Sequence, residues 1–255
     1  MTYVMSISFA EAQGGPLFSD ATFLVAPTLR SRYFLAAGLS CSADGPNRRR
    51  PAAMAPYLSF LSGYFLGAFS FALLLARLKG VDIRGSGSGN PGATNAGRLM
   101  GRKVGTLVGF LDAVKGLVPV LLWLSLSEDF DAAVFAGLGA FCGHIWPIYF
   151  RFQGGKGLAT FIGAGLGLAP VSMLFAAIGF VAAVALTRIM SVGSLTLGAA
   201  FPLVVWWRGE ALSLLWFSVA GCVILFYTHR SNIQRLLAGK ERKLGAKKSA
   251  PEEKE

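Results

Sequence analysis

Residues 157–187 read GLATFIGAGLGLAPVSMLFAAIGFVAAVALT, a run of 31 residues without a single charge. How this run crosses a bilayer decides the fold. As one helix it would measure ~46 Å at 1.5 Å per residue, against a hydrocarbon core of ~30 Å. Pro170 stands near its middle, where a missing N–H and a bulky ring interrupt a helix. The expectation is two short apolar segments turning at Ala169-Pro170, each near the lower length limit for a span.

Outward from this run, the chain alternates apolar stretches with charged or glycine-rich loops. The stretches are 57–78, 104–126 and 132–149 on one side and 192–207 and 211–227 on the other. With the central run counted twice, the reading is an all-α integral membrane protein, a seven-span helical bundle whose short, Gly-rich cytoplasmic loops form the site. Charge supplies an independent check. If the first loop is cytoplasmic, the inside segments hold Arg77, Lys79, Arg84, Arg98, Arg102, Lys103, Arg151, Lys156, Arg188 and the basic C-terminal region. The outside loops then hold only Arg208 among basic residues, as the positive-inside rule requires. Counting 157–187 as one span would put the basic tail outside.

Composition agrees. Apolar residues make up 54% and charged residues only 15%, well below the ~25% usual in soluble domains. Mean hydropathy is +0.56. This balance excludes disordered, collagenous and disulfide-scaffold classes. Cys41, Cys142 and Cys222 lie too far apart in sequence for metal-ligand spacing and read as small apolar residues. The net charge of +11 is concentrated at the ends of apolar runs, which points to anionic lipid and anionic substrates and away from nucleic acid.

Residues 1–53 carry no apolar run of span length and read as an N-terminal extension, disordered or upstream of the true start. Met54 follows Arg48-Arg49-Arg50 and opens onto an apolar helix. A translation start there is an expectation that mass spectrometry of the native N-terminus checks. Residues 54–241 form the membrane domain, and 242–255 read as a charged, disordered tail.

Three inside segments are too polar and too rich in glycine to be simple connectors. The first runs Gly85-Ser86-Gly87-Ser88-Gly89-Asn90-Pro91-Gly92-Ala93-Thr94-Asn95-Ala96-Gly97-Arg98. Glycines let backbone N–H groups approach a ligand, hydroxyls and amides add donors, and a guanidinium adds a bidentate fork; these are the parts of a phosphate cradle. A flexible hydrophilic loop is the plain alternative. The second ends in Gly154-Gly155-Lys156-Gly157 at the start of an apolar helix, where N–H donors and an ammonium meet the positive end of a helix dipole. It is no Walker loop, because Phe150 and Gly157 stand where that pattern needs Gly and Ser or Thr. Lys156 alone would read as a snorkelling anchor. The third, residues 228–241, places Ile233, Leu236 and Leu237 at helical spacing, an amphipathic turn with His229 and Asn232 on one face.

Together the segments resemble the signature motifs of the bacterial membrane glycerol-3-phosphate acyltransferases that use acyl phosphate. The resemblance rests on SGNPGATN with a following Arg, GH-x-x-P leading to GGKG-x-AT, and H-x-x-NI-x-R with Gly and Glu after it. Asp112-x-x-Lys115-Gly116 and Arg188 ahead of Ser191-Val192-Gly193-Ser194 extend it. It covers residues 54 to 241.

The resemblance implies a seven-span bundle in the bacterial inner membrane, with its site facing the cytoplasm. The implied reaction moves a fatty acyl group from acyl phosphate to the 1-hydroxyl of glycerol 3-phosphate, releasing lysophosphatidic acid and phosphate. No cofactor or metal is implied; a functional link to an acyl-phosphate-forming enzyme is. Enzymes of the same pathway that use acyl-CoA carry a His followed by four residues and Asp. Here His144 and His229 are followed at that distance by Tyr149 and Gln234.

Position by position, Ser88, Thr94, Asn95 and Arg98 are assigned to phosphate and hydroxyl contacts, and Gly154, Gly155 and Lys156 to a phosphate. Ser191 or Ser194 supplies a hydroxyl. His229 and Asn232 contact glycerol 3-phosphate or assist proton movement, and Glu241 orients the third motif. Asp112 and Lys115, three residues apart within a span, read as a structural ion pair or a substrate contact. The competing function is an organic-phosphate transporter, since broken helices and Gly-rich helix starts also serve transport.

Overall fold

The computed structural model describes residues 54–244. In chain order the helices are α1 (Ala55–Gly67), α2 (Phe71–Leu78), α3 (Ala93–Met100), α4 (Arg102–Leu126), α5 (Phe130–Ile145), α6 (Leu158–Leu168), α7 (Pro170–Thr187), α8 (Met190–Trp207), α9 (Leu212–Thr228) and α10 (Arg230–Leu237). A 3-10 turn, Ile148–Phe150, follows α5. The extension 1–53 and the residues after 244 lie outside the described part.

The central run breaks where its proline predicts. Helix α6 stops at Leu168, Ala169 is extended, and Pro170 opens α7. The two halves are unequal, however. With 11 residues, α6 is only ~16 Å long, about half of a ~30 Å hydrocarbon core. Phe161, Gly163, Ala164, Gly165 and Leu168 are all buried, so this helix is wrapped by protein. Among the described residues, five helical segments are long and apolar enough to cross a membrane: Ala55–Leu78, Arg102–Leu126, Phe130–Phe150, Pro170–Thr187 and Met190–Trp207. The α9–α10 pair, bent by 60°, makes a sixth.

Lipid offers no hydrophobic drive for helix association, so the helices are held by close packing of small residues. Gly63 and Gly67 on α1 lie against the carbonyls of Ala136 and Ala140, while Gly139 and Gly143 on α5 lie against those of Phe60 and Tyr64. None of the four positions has room for a Cβ. The same device joins α4 to α6, with Gly116 against the Thr160 carbonyl and Gly163 against that of Ala113. The core centres on Phe161, whose ring lies 5.1 Å from Phe141, 5.6 Å from Phe201 and 5.2 Å from Phe217. Apolar side chains such as Phe110, Ile178, Val181, Leu203 and Val223 point outward, as a lipid-facing surface requires.

Two features depart from the simple span reading. Residues 57–78 are not one helix: the chain breaks at 68–70, where Ser70 caps α2 by accepting from Leu73 N–H at 3.4 Å. The carbonyl of Phe69 left free by the break accepts a 2.7 Å hydrogen bond from Lys115 Nζ. At the other end of the bundle, Glu210 Oε1 accepts from Ser172 Oγ at 2.9 Å and Arg208 Nε at 3.1 Å. The one basic residue assigned to an outside loop is therefore paired, and the α6–α7 turn is tied to the α8–α9 loop.

Candidate active site

The first glycine-rich segment is folded around Asn95. Its Oδ1 accepts from Ser88 N–H at 2.9 Å, and its amide donates to the carbonyls of Ile83 and Ser86 at 3.1 Å each. Gly87, at φ +67°, has no room for a Cβ beside Asn95 Oδ1. Asn95 is thus buried with its hydrogen-bonding groups engaged by the loop, and it shapes the cradle instead of offering a free amide. Arg84 Nη2 donates to the carbonyl of Gln153 at 2.7 Å, locking this loop to the next.

In the second segment the two glycines differ from the expectation. Gly154 N–H donates to the Ile145 carbonyl at 3.0 Å and Gly155 N–H to the His144 carbonyl at 3.1 Å. Their amides are used by the turn. A Cβ at Gly154 would meet the His144 carbonyl and one at Gly155 would meet the His144 ring. These glycines are small so that the loop can close onto α5, and that closure sets Lys156 at the mouth of α6. Thr228 Oγ1 donates to the Lys156 carbonyl at 3.1 Å, fixing that backbone against the end of α9.

The third segment is held by Glu241. Its Oε1 accepts from Asn232 Nδ2 at 2.6 Å and Ser191 Oγ at 3.0 Å, and its Oε2 accepts from Arg235 Nε at 2.6 Å. Asn232 Oδ1 in turn accepts from Lys156 Nζ. Of the two candidate serines, Ser191 joins this network, whereas Ser194 donates to the Met190 carbonyl at 2.9 Å. His229 Nδ1 lies 2.8 Å from the Leu225 carbonyl. A carbonyl only accepts, so Nδ1 carries the proton and Nε2 keeps its lone pair.

These segments enclose one cavity of about 460 Å³. Ser88, Thr94, Asn95, Arg98, Lys156, Ser191, Ser194, His229, Asn232, Glu241 and Asp112 line it, and Gly154, Gly155 and Lys115 do not. Three further titratable residues in its wall have no role assigned from sequence: His144, Arg235 and Arg242. Arg235 could have been found, since it falls three residues after Asn232 on the same amphipathic helix. Arg242 follows the helix, and no periodicity marks it.

Arg98, Lys156, Arg235 and Arg242 line the cavity together with Glu241, whose carboxylate is ion-paired with Arg235. Burial, reinforced by the charges of Arg235 and Arg98, lowers the Lys156 ammonium to about 8. Burial alone would raise the Glu241 carboxyl, but hydrogen bonds from Asn232, Arg235 and Ser191 outweigh it and hold the group below its usual range. The cavity is a preorganised, partly desolvated anion site.

Known proteins bear the same stamp. The sequence profile described as glycerol-3-phosphate acyltransferase matches residues 57–239. A glycerol-3-phosphate acyltransferase of Geobacter sulfurreducens is 46% identical over 187 residues, covering 72% of this chain and 94% of the relative. One of Trichlorobacter lovleyi is 44% identical over 183 residues, covering 72% and 94%. The crystal structure of PlsY, an integral membrane glycerol 3-phosphate acyltransferase, in its glycerol 3-phosphate form, superposes with a TM-score of 0.72 at 36% identity. The match covers 75% of this chain and 96% of that one. The lysophosphatidic acid form gives 0.70 at the same identity. With the profile matched over residues 57–239 and relatives 44–46% identical over 72% of its length, this chain belongs to the glycerol-3-phosphate acyltransferase family.

Proposed function

We propose that this chain transfers a fatty acyl group from acyl phosphate to the 1-hydroxyl of glycerol 3-phosphate, giving lysophosphatidic acid and phosphate. The observation that carries the reading is the convergence of three sequence-distant segments on one cationic cavity inside an apolar bundle. One substrate is a water-soluble phosphate and the other an amphiphile, and both bring anionic phosphate to the same place. Arg98 and Lys156 neutralise that charge, Ser88 and Thr94 supply donors, and His229 and Asn232 hold the glycerol phosphate. Asn95 and Glu241 fix the geometry behind them.

The donor is a mixed anhydride with a good leaving group, so positioning and charge stabilisation carry the rate. The 1-hydroxyl oxygen bonds to the acyl carbon, the bond from that carbon to the bridging phosphate oxygen breaks, and phosphate leaves with the electron pair. The hydroxyl proton passes to a phosphate oxygen, whose second pKa lies near neutrality. His229 Nε2, unprotonated, accepts a hydrogen bond from the acceptor substrate and keeps it aligned.

The same reading takes the chain as a seven-crossing protein of the bacterial inner membrane, with α6 and α7 together making two passages and the cavity open to the cytoplasm. It needs a partner reaction that forms acyl phosphate. The test is purified full-length protein supplied with glycerol 3-phosphate and palmitoyl phosphate, scored for lysophosphatidic acid. Product from palmitoyl phosphate and none from palmitoyl-CoA is expected; efficient acylation from palmitoyl-CoA would overturn the donor.

A further inference from the structure

In the wall of the cavity stands a carboxylate to which the reaction above gives no role. Asp112 on α4 is 2% exposed and lines the cavity. Its Oδ1 is ion-paired with Lys115 Nζ at 3.0 Å and lies 3.7 Å from His144 Nδ1, and no other described group donates to it. The Lys115 ammonium is directed to the Phe69 carbonyl, 2.7 Å away. His144 Nδ1 lies 3.2 Å from Thr160 Oγ1. A carboxylate has about four lone-pair sites, so one held by a single ion pair keeps acceptor capacity, and in a cavity wall a ligand that donates fills it.

We infer that the Asp112 carboxylate is a specificity-determining contact that accepts a hydrogen bond from the 2-hydroxyl of the glycerol acceptor; the inference rests on the acceptor proposed above. Two physical arguments select that hydroxyl. Phosphate groups are repelled by a buried carboxylate, so the phosphate end of the acceptor lies toward Lys156 and Arg98 and the polyol end toward Asp112. The acyl phosphate is itself an anion, so the hydroxyl that meets it is the one turned away from Asp112. The remaining 2-hydroxyl is the one held by Asp112. Beside the Lys115 ammonium the carboxylate serves as an acceptor, which suits holding a hydroxyl that must not react. Thr160 and Lys115 are positioning residues here, setting His144 and Asp112 through contacts within α4, α5 and α6.

The probe is 3-hydroxypropyl phosphate, which keeps the primary hydroxyl and the phosphate and lacks only the secondary hydroxyl. A site built around a hydroxyl rejects an analogue without it strongly, because its own polar group is left unpaired. Wild-type protein is expected to prefer glycerol 3-phosphate by ~100-fold or more in kcat/KM. In Asp112→Asn, and in Asp112→Asn/Lys115→Met, which leaves no unpaired buried cation, that preference should shrink to ~10-fold or less, because the lost contact served only the true substrate. Equal loss toward both substrates would make Asp112 purely structural and overturn the inference, as would a wild-type protein that does not discriminate. Calorimetric binding of the two phosphates to the solubilised wild type and Asp112→Asn needs no donor. If acylation from acyl phosphate failed while Asp112-dependent discrimination in binding persisted, the donor reading would fall and this contact would stand.

Discussion

Ser191 and Glu241, fifty positions apart, share a 3.0 Å hydrogen bond at the rim of the cavity. That bond joins the start of α8 to the end of the third motif, and through Asn232 it reaches Lys156. Glu241 has no part in the bonds that form and break during acyl transfer. Its hydrogen bonds hold Ser191, Asn232 and Arg235 together.

Glu241→Gln should therefore lower kcat by ~10- to 100-fold, the equivalent of losing a charge-assisted hydrogen bond of about 1.5–3 kcal/mol. Thermal stability should change little beside it, since Glu241 lies at the surface end of the bundle. Steady-state kinetics together with a melting curve check this, and unchanged kcat would show the network to be incidental.

Lys156→Ala should reduce kcat/KM for glycerol 3-phosphate by at least ~100-fold, because a cation lost from a desolvated phosphate site costs about 3 kcal/mol. The pH profile gives a finer test. Lys156 titrates near 8 in the free protein, charged below that pH and neutral above it. The free-enzyme profile of kcat/KM should accordingly fall as pH rises through about 8. In Lys156→Arg, whose guanidinium stays protonated, the falling limb should disappear even if the rate is lower. A limb unchanged in Lys156→Arg would assign it to another group.

Packing of α1 on α5 depends on glycines that a Cβ would drive into opposing backbone. Gly67→Val should destabilise the protein by about 1–3 kcal/mol or more, while Leu61→Val on the lipid-facing side of the same helix should leave the melting temperature nearly unchanged. Equal melting temperatures for the two variants would show the seam to be soft.

Orientation follows from cysteine labelling in a background free of Cys41, Cys142 and Cys222. Single cysteines at Ser88, Gln153 and Ser231 should be shielded from an impermeant thiol reagent in intact cells, and one at Asp129 should react. Labelling at Ser231 with protection at Ser88 would require an even number of crossings and exclude a shared site for the first and third motifs.

Much of this was legible in residue patterns. The break at Pro170, the apolar runs and the one-sided basic residues follow from length, proline and charge, each a local property. The three motifs could be read as anion-binding from their glycines and cations. What escaped was how the polar groups are used. Asn95 reads as a ligand contact, but the chain before it turns so that its amide serves Ser88, Ile83 and Ser86. Gly154 and Gly155 read as free donors, but the carbonyls freed at the end of α5 claim their N–H groups. Lys115 shows its partner Asp112 by spacing, whereas its bond to Phe69 depends on a helix break that apolar sequence does not reveal. These are tertiary choices among equally competent partners, and only the packed bundle decides them.

Glu241 also fixes an order of events. The cavity wall begins at Gly87 and is completed by residues 241 and 242, so every helix from α3 to α10 is synthesised before the last carboxylate arrives to fasten Asn232, Arg235 and Ser191 together. A nascent chain short of that residue has Arg98, Lys156 and Arg235 but lacks the carboxylate that joins Asn232, Arg235 and Ser191. The wall of the cavity is therefore complete only once the end of the domain has been made.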